Sequence, residues 1–238
     1  MSSTGLPGVV VAAAAADARR TYLRKVLAIS CLGLGLAGGV GILSMLAIAM
    51  NPGVLRGWGP MLIILGCWAV TNFVAQPMVF GARKWLGFVL GTAAQGVALG
   101  FLLLVAVLVS KQDFGNPLTL IGMAITLTVV AGVGIASYAM VERHEFRIMR
   151  AALGAVFLPM LVLMGVTFAF PNAIGGTAGI VVSALFVLVS AAALLYRVNA
   201  VVHDFTTEMT VEGGYLIAIG VIVLFWNILS LLLRLRRR

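Results

Sequence analysis

The feature that most constrains this chain is a series of long apolar runs separated by short polar breaks. Of its 238 residues, 62% are hydrophobic and only 10% are charged. A soluble domain of this size cannot cover that much apolar surface. A helix needs about 20 mostly apolar residues to cross the hydrocarbon layer of a bilayer. We therefore predict an integral membrane protein whose immediate partner is the lipid bilayer.

Seven runs are long enough to cross a membrane. Strands of a membrane barrel alternate apolar and polar residues, whereas these runs are apolar on every side. The sequence therefore predicts an all-α membrane domain over residues 21–238, preceded by a flexible tail over residues 1–20. The predicted spans cover residues 26–50, 60–82, 85–110, 117–141, 151–170, 175–197 and 213–233.

The distribution of Lys and Arg predicts a cytoplasmic N-terminus. With that orientation, most basic residues lie on the cytoplasmic side, as the positive-inside rule requires. Seven full crossings, however, place the basic C-terminal residues on the opposite side. Either one of the last two segments is re-entrant or the early helices decide the orientation, and we favour seven crossings. The residues concerned are Arg234, Arg236, Arg237 and Arg238.

Several function classes are not expected. The formal charge of +9 comes from basic residues between apolar runs, which favours contact with anionic lipid headgroups over nucleic-acid binding. Cys31 and Cys67 lie in separate apolar runs and form no CxxC motif. His144 and His203 fall in predicted loops without metal-ligand spacing. We therefore expect no metal, no cofactor, no nucleic-acid partner and no enzymatic activity.

The polar residues of the spans are expected to be neutral. Every Asp and Glu falls in a predicted tail, loop or helix end, so the interior should lack the carboxylate that proton coupling or divalent-cation conduction usually needs. Hydrogen bonding between helices is the more common role of neutral groups, and a polar translocation path is the alternative. These neutral residues are Asn72, Gln76, Gln95, Ser137, Tyr138, Asn199, Asn227 and Ser230.

Two kinds of residue interrupt the pattern of the spans. Pro77 and Pro159 are expected to kink or break their helices locally. Arg197 stands at the predicted inner end of the sixth span. Its side chain either extends to the lipid headgroups or pairs with Asp204 or a loop glutamate, which would form a latch across the inner mouth.

Four segments of the chain carry a family resemblance. They are Arg20-Thr21-Tyr22-Leu23-Arg24-Lys25-Val26 before the predicted first helix, the pair Arg83-Lys84 before the third, the turn Glu142-Arg143-His144-Glu145-Phe146, and the stretch from Phe186 through Tyr196-Arg197-Val198-Asn199 to Phe225-Trp226-Asn227. Together they resemble the Bax inhibitor-1 family (the transmembrane Bax-inhibitor-motif proteins) in its bacterial branch. That resemblance implies a bacterial inner-membrane protein with seven helices, the last enclosed by the other six.

The resemblance also indicates where this chain departs from its relatives. In better-studied members the resemblance implies a pH-gated calcium leak, which depends on two aspartates near the cytoplasmic mouth. The matching positions here are Arg197 and Leu224, so both carboxylates are absent and one is replaced by a positive charge. A cation would be repelled where the family pattern attracts it. The candidate polar seam or gate comprises Arg197, Asn199, His203, Asp204, Leu224 and Asn227.

Two functions follow as hypotheses. The first is a non-enzymatic inner-membrane protein that modulates membrane protein quality control or ion and stress homeostasis through protein contacts. This hypothesis follows the example of a family branch whose members bind and restrain a membrane-anchored AAA protease. The alternative is a pH-modulated, calcium-leak-like ion channel or small-solute transporter, with Arg197 as an altered gate and Asn72, Gln95, Asn199 and Asn227 as a neutral path.

Overall fold

The structure is a computed structural model that describes residues 9–55, 57–141 and 176–236. Within them, six helices are long and apolar enough to cross a membrane, which confirms the prediction of a multi-pass helical membrane protein for this part. The helices are α1 (Ala16–Met50), α2 (Gly59–Val79), α3 (Lys84–Phe114), α4 (Thr119–Val141), α5 (Gly176–His203) and α6 (Thr210–Arg236).

The predicted fifth span, residues 151–170, and the charged turn before it lie outside the described residues, and so does Pro159. Helices α5 and α6 therefore correspond to the sixth and seventh predicted spans. Helix α6 packs against α1, α3, α4 and α5 and is the most buried of the described helices. Seven crossings, with the last helix enclosed by all the others, stay a prediction.

Helix α1 begins earlier than predicted and carries the basic motif inside the helix. It starts at Ala16, so the prediction that the segment from Arg20 to Val26 precedes the first helix was wrong. Small and apolar residues recur on one side of α1 at spacings of three and four, which is the period of a buried helix face. The charged residues occupy the other sides. The buried set is Tyr22, Val26, Ser30, Gly33, Ala37, Gly41 and Ile48.

Helix α2 contains the local break that its proline predicts. A π-helical segment, Val70–Ala75, interrupts it immediately before Pro77. Proline has no backbone N–H to donate, and such irregular turns are common where the regular ladder is interrupted. The carbonyl of Thr71 consequently accepts the N–H of Gln76, five residues on.

Residues 9–15, here termed the N-terminal strap, lie against the loop between α5 and α6. The Val11 N–H donates to the Phe205 carbonyl at 2.9 Å, and the Thr207 N–H donates to the Val9 carbonyl at 3.1 Å. The Val11 side chain is fully buried among residues of α1 and α5. The strap thus covers one end of the bundle, which we call the Glu212 end. The division into a flexible tail and a membrane domain at residue 21 stays a prediction.

Candidate functional site at the α5–α6 hairpin

Arg197 lies within α5 and not at its end. The helix continues for six residues to His203, so the predicted position of Arg197 at the inner end of its span was wrong. At a rise of about 1.5 Å per residue, Arg197 lies roughly 9 Å before the end of the helix. The apolar pair Val201 and Val202, both buried, extends the helix past the polar residues.

The Arg197 side chain packs against α6. It lies at contact distance from Gly220, because a Cβ atom at Gly220 would lie 3.5 Å from Cδ and 3.6 Å from Nη1 of Arg197. Gly220 follows the start of α6 by ten residues, or roughly 15 Å along the helix. No carboxylate of the described residues forms an ion pair with Arg197, and Asp204 is exposed. Neither a latch to Asp204 nor an extension to headgroups is observed.

A chain of polar groups connects α6 to α2 and α3 near Arg197. The Tyr215 hydroxyl of α6 donates to the Thr71 carbonyl at 3.3 Å. That carbonyl belongs to the π-helical segment. The Gln95 amide of α3 donates to the Thr71 hydroxyl at 3.1 Å, and that hydroxyl donates to the Cys67 carbonyl at 2.8 Å. These contacts connect the irregular turn of α2 to the centre of the bundle.

Replacing Tyr215 with phenylalanine tests this connection. Its hydroxyl is held by one hydrogen bond in a buried position, and hydrogen bonds between membrane helices are worth about 0.6 kcal/mol on average and up to about 1.7 kcal/mol. We expect Tyr215→Phe to lower the free energy of unfolding by about 1 kcal/mol, measured by denaturant titration in micelles. Tyr138→Phe, on an exposed face of α4, is the control and should leave stability unchanged.

The remaining predicted seam residues do not form one cluster. Leu224 is fully buried and packs in the apolar core with residues of α5. Asn199 is buried, and its Oδ1 atom has no hydrogen-bond partner among the described residues; the same holds for Nε2 of His203. Asn227 is partly buried in the last third of α6, away from the Glu212 end.

Two residues of the proposed neutral path, Asn72 and Gln95, make hydrogen bonds within the bundle. The Asn72 amide donates to the Trp68 carbonyl of its own helix at 2.8 Å, and Gln95 is bonded to Thr71. Both side chains therefore satisfy bonds at or beside the π-helical segment. Hydrogen bonding within a helix or between helices is the more common role of neutral polar residues in membrane proteins.

The structure reveals a buried carboxylate that sequence reasoning missed. Glu212, in the first turn of α6, is only 2% exposed, and it forms an ion pair with Lys84 at the start of α3. The expectation that no acidic group is buried in the bundle was wrong. One carboxylate oxygen, Oε2, has no hydrogen-bond partner within the described ranges. A carboxylate in this position is costly to bury, and it marks the Glu212 end as a second polar site.

A signal for this burial is present in the sequence. Gly213 and Gly214 follow the glutamate directly, and both allow α1 to approach closely. A Cβ at Gly214 would lie 2.5 Å from the Ile29 side chain, and one at Gly213 would lie 3.0 Å from the Tyr22 hydroxyl. Two glycines directly after an acidic residue at the start of an apolar helix indicate that another helix packs closely there.

A comparison with protein-family models gives a match over nearly the whole chain. The model described as inhibitor of apoptosis-promoting Bax1 matches residues 19–238. The chain belongs to the Bax inhibitor-1 family. Neither the curated proteins nor the solved structures contain a match. Membership of the Bax inhibitor-1 family therefore rests on the family model and on the motifs of the sequence.

Within the Bax inhibitor-1 family, the resemblance assigns the acidic pair to positions 197 and 224. In this member, position 197 is an arginine beside Gly220, and position 224 is a leucine of the apolar core. No group of three metal-ligating side chains occurs in the part of the chain that the structure describes. The site therefore presents a cation and an apolar surface where the resemblance leads one to look for carboxylates.

Proposed function

We propose that this protein is a non-enzymatic regulator in the bacterial inner membrane, with its N-terminus in the cytoplasm, and that it acts through contacts with other membrane proteins. A membrane-anchored protease of the quality-control system is the kind of partner that the resemblance suggests. Such a role requires a stable bundle and an accessible lateral surface, and it requires no acidic ion path.

The observation that carries this proposal is the environment of Arg197 and Leu224. A calcium ion needs several oxygen ligands, commonly carboxylates, to replace its hydration shell. At these two positions the ion would meet a guanidinium without a carboxylate partner in the described residues and a fully buried Leu side chain. Electrostatic repulsion and the absence of oxygen ligands both oppose a calcium site there.

Crosslinking in native membranes tests the proposal. A photoreactive amino acid is placed at Phe73, which is 70% exposed on the outer face of α2, and in a second strain at Leu229, which is fully buried in the apolar core. The proposal predicts a discrete adduct with one membrane protein from the surface position and none from the interior one. Adducts with lipid alone at Phe73 and at further surface positions such as Val130 would contradict it.

The second candidate function is a gated ion leak, because Glu212 is a buried carboxylate whose Oε2 atom has no hydrogen-bond partner among the described residues. Lys84 and the N-terminal strap lie at the same end, so the ion pair and the strap can together close that mouth. In this case Lys84→Gln, which removes the cation, raises ion flux in liposomes at least several-fold. If the ion flux of Lys84→Gln and of a chain lacking residues 1–15 equals that of the unmodified chain, the gated ion leak loses its support.

A further inference from the structure

The described helices form an apolar cleft between them. Helices α1 and α4 form its two walls, and α3 and α6 form its floor. The floor residues Leu99, Leu103 and Ile222 are buried, whereas the rim residues Ile42 and Ile125 are about half exposed. The cleft has a volume of about 430 Å³. It is thus a deep groove that opens sideways into the bilayer.

The lining determines what can occupy the cleft. Among the described residues that line it, the only polar side chain is Thr128, whose hydroxyl donates to the Ala124 carbonyl at 2.7 Å and is therefore satisfied. Apolar cavities of roughly 150 Å³ stay free of water and take up small hydrocarbons. A cleft almost three times larger, open to lipid, is accordingly a site for hydrocarbon and not for water or ions.

The length of the cleft matches one leaflet of the membrane. On α1 it runs from Leu34 to Met45, which is roughly 16 Å at about 1.5 Å per residue. Half of a hydrocarbon core of about 30 Å is about 15 Å. A groove of this length fits a lipid acyl chain that extends from the membrane surface to the middle of the hydrocarbon core.

Positive charge lies at the end of the cleft that faces away from Glu212. Leu103, Val107 and Lys111 follow one another at intervals of four on α3, so the exposed Lys111 continues the face that lines the cleft. Arg236 of α6 is held at the same end of α3, with its Cζ atom 4.2 Å from the centre of the Phe114 ring. Two cations thus stand near the membrane surface, above an acyl-sized groove.

We propose that this cleft is a binding site for an anionic phospholipid, with one acyl chain between α1 and α4 and the phosphate headgroup at Lys111 and Arg236. Because lipid tails are as apolar as the lining, the chain contributes fit and packing, and the headgroup contributes the selectivity. Each basic residue near an anionic surface is worth about 1 kcal/mol, or roughly a fivefold preference.

Two glycines of α1 provide a matched pair for the test. Gly38 lines the cleft and Gly35 does not, and a Cβ at either position meets no atom within 4 Å. Gly38→Leu should therefore fill the groove without disturbing the fold, and Gly35→Leu should only add a lipid-facing side chain. The full chain is reconstituted in vesicles of phosphatidylethanolamine and phosphatidylglycerol, with a small fraction of phosphatidylglycerol that carries a photoreactive group on its acyl chain.

The proposal predicts labelled peptides from the cleft in the unmodified chain and in Gly35→Leu. Labelling of those peptides should fall about tenfold in Gly38→Leu, which corresponds to about 1.4 kcal/mol. Lys111→Gln should lower the preference for phosphatidylglycerol over phosphatidylcholine probes about fivefold. Lys25→Gln, an exposed lysine at the opposite end, should leave that preference unchanged.

Three results would overturn the proposal. Equal labelling in the two leucine variants would show that lipid does not enter the groove. Equal labelling by the two headgroups, insensitive to Lys111→Gln, would show that the site is not selective for anionic lipid. Crosslinks from the cleft to a second copy of the chain, or to another protein, would assign the groove to a protein partner.

Discussion

Lys84→Met is expected to lower the free energy of unfolding by about 3 kcal/mol, because it leaves the Glu212 carboxylate buried without its cation. This value is at the low end for removing one partner of a buried pair, since the Lys84 side chain is 42% exposed and Glu212 only 3%. Unfolding is followed by circular dichroism during titration of mixed micelles with a denaturing detergent.

A double-mutant cycle isolates the contribution of the pair. In the Lys84→Met/Glu212→Gln variant the buried charge is gone, so most of the lost stability should return, because replacing both ions is often close to neutral. Lys25→Met, which removes an exposed lysine at the same end of the bundle, is the control and should cost less than about 0.5 kcal/mol. Additive losses for the two substitutions of the pair, with no recovery in the double variant, would contradict the burial of Glu212.

Gly96→Ala is expected to lower the free energy of unfolding by about 2 kcal/mol, because it forces α1 and α3 apart. A Cβ at Gly96 would lie 2.7 Å from the Ala37 carbonyl oxygen and 2.8 Å from Cβ of Val40. Both atoms belong to α1 and cannot rotate away. The same detergent titration measures the loss.

Gly122→Ala on α4 is the matched control. A Cβ there meets nothing within 4 Å, so the substitution should be neutral or should stabilise by about 0.5–1 kcal/mol through the better helix propensity of alanine. Equal effects of the two substitutions would show that α1 and α3 are not in the close contact that the structure contains.

The helices themselves could be predicted from the sequence because their signal is local. Each span is a run of apolar residues of sufficient length, and prolines or short polar breaks separate the runs. The break in α2 was foreseen from Pro77 for the same reason. Helix ends were less accurate, since α1 starts ten residues before the predicted span and α5 ends six residues after it. At those ends, charged or polar residues lie on helical turns that hydropathy does not distinguish from loops.

The site could be predicted only in part, because burial depends on contacts between distant segments. The sequence marks Arg197 and Leu224 as unusual, but it does not show that the arginine packs beside Gly220 of another helix. Glu212 was assigned to a loop or helix end, and its burial arises from the close approach of α1 through Gly213 and Gly214. The N-terminal strap likewise depends on backbone hydrogen bonds to a loop almost 200 residues away in the chain. Apart from the two glycines after Glu212, no local sequence pattern indicates these contacts.

Calcium flux through the purified protein tests the central claim most directly. The full chain is reconstituted in vesicles that contain a calcium-sensitive dye, with an ionophore as control for the integrity of the vesicles. Because the resemblance places Arg197 and Leu224 at the positions of the acidic pair, we predict no flux above that of protein-free vesicles, at neutral or at acidic pH. A robust calcium flux that changes with pH would contradict the account.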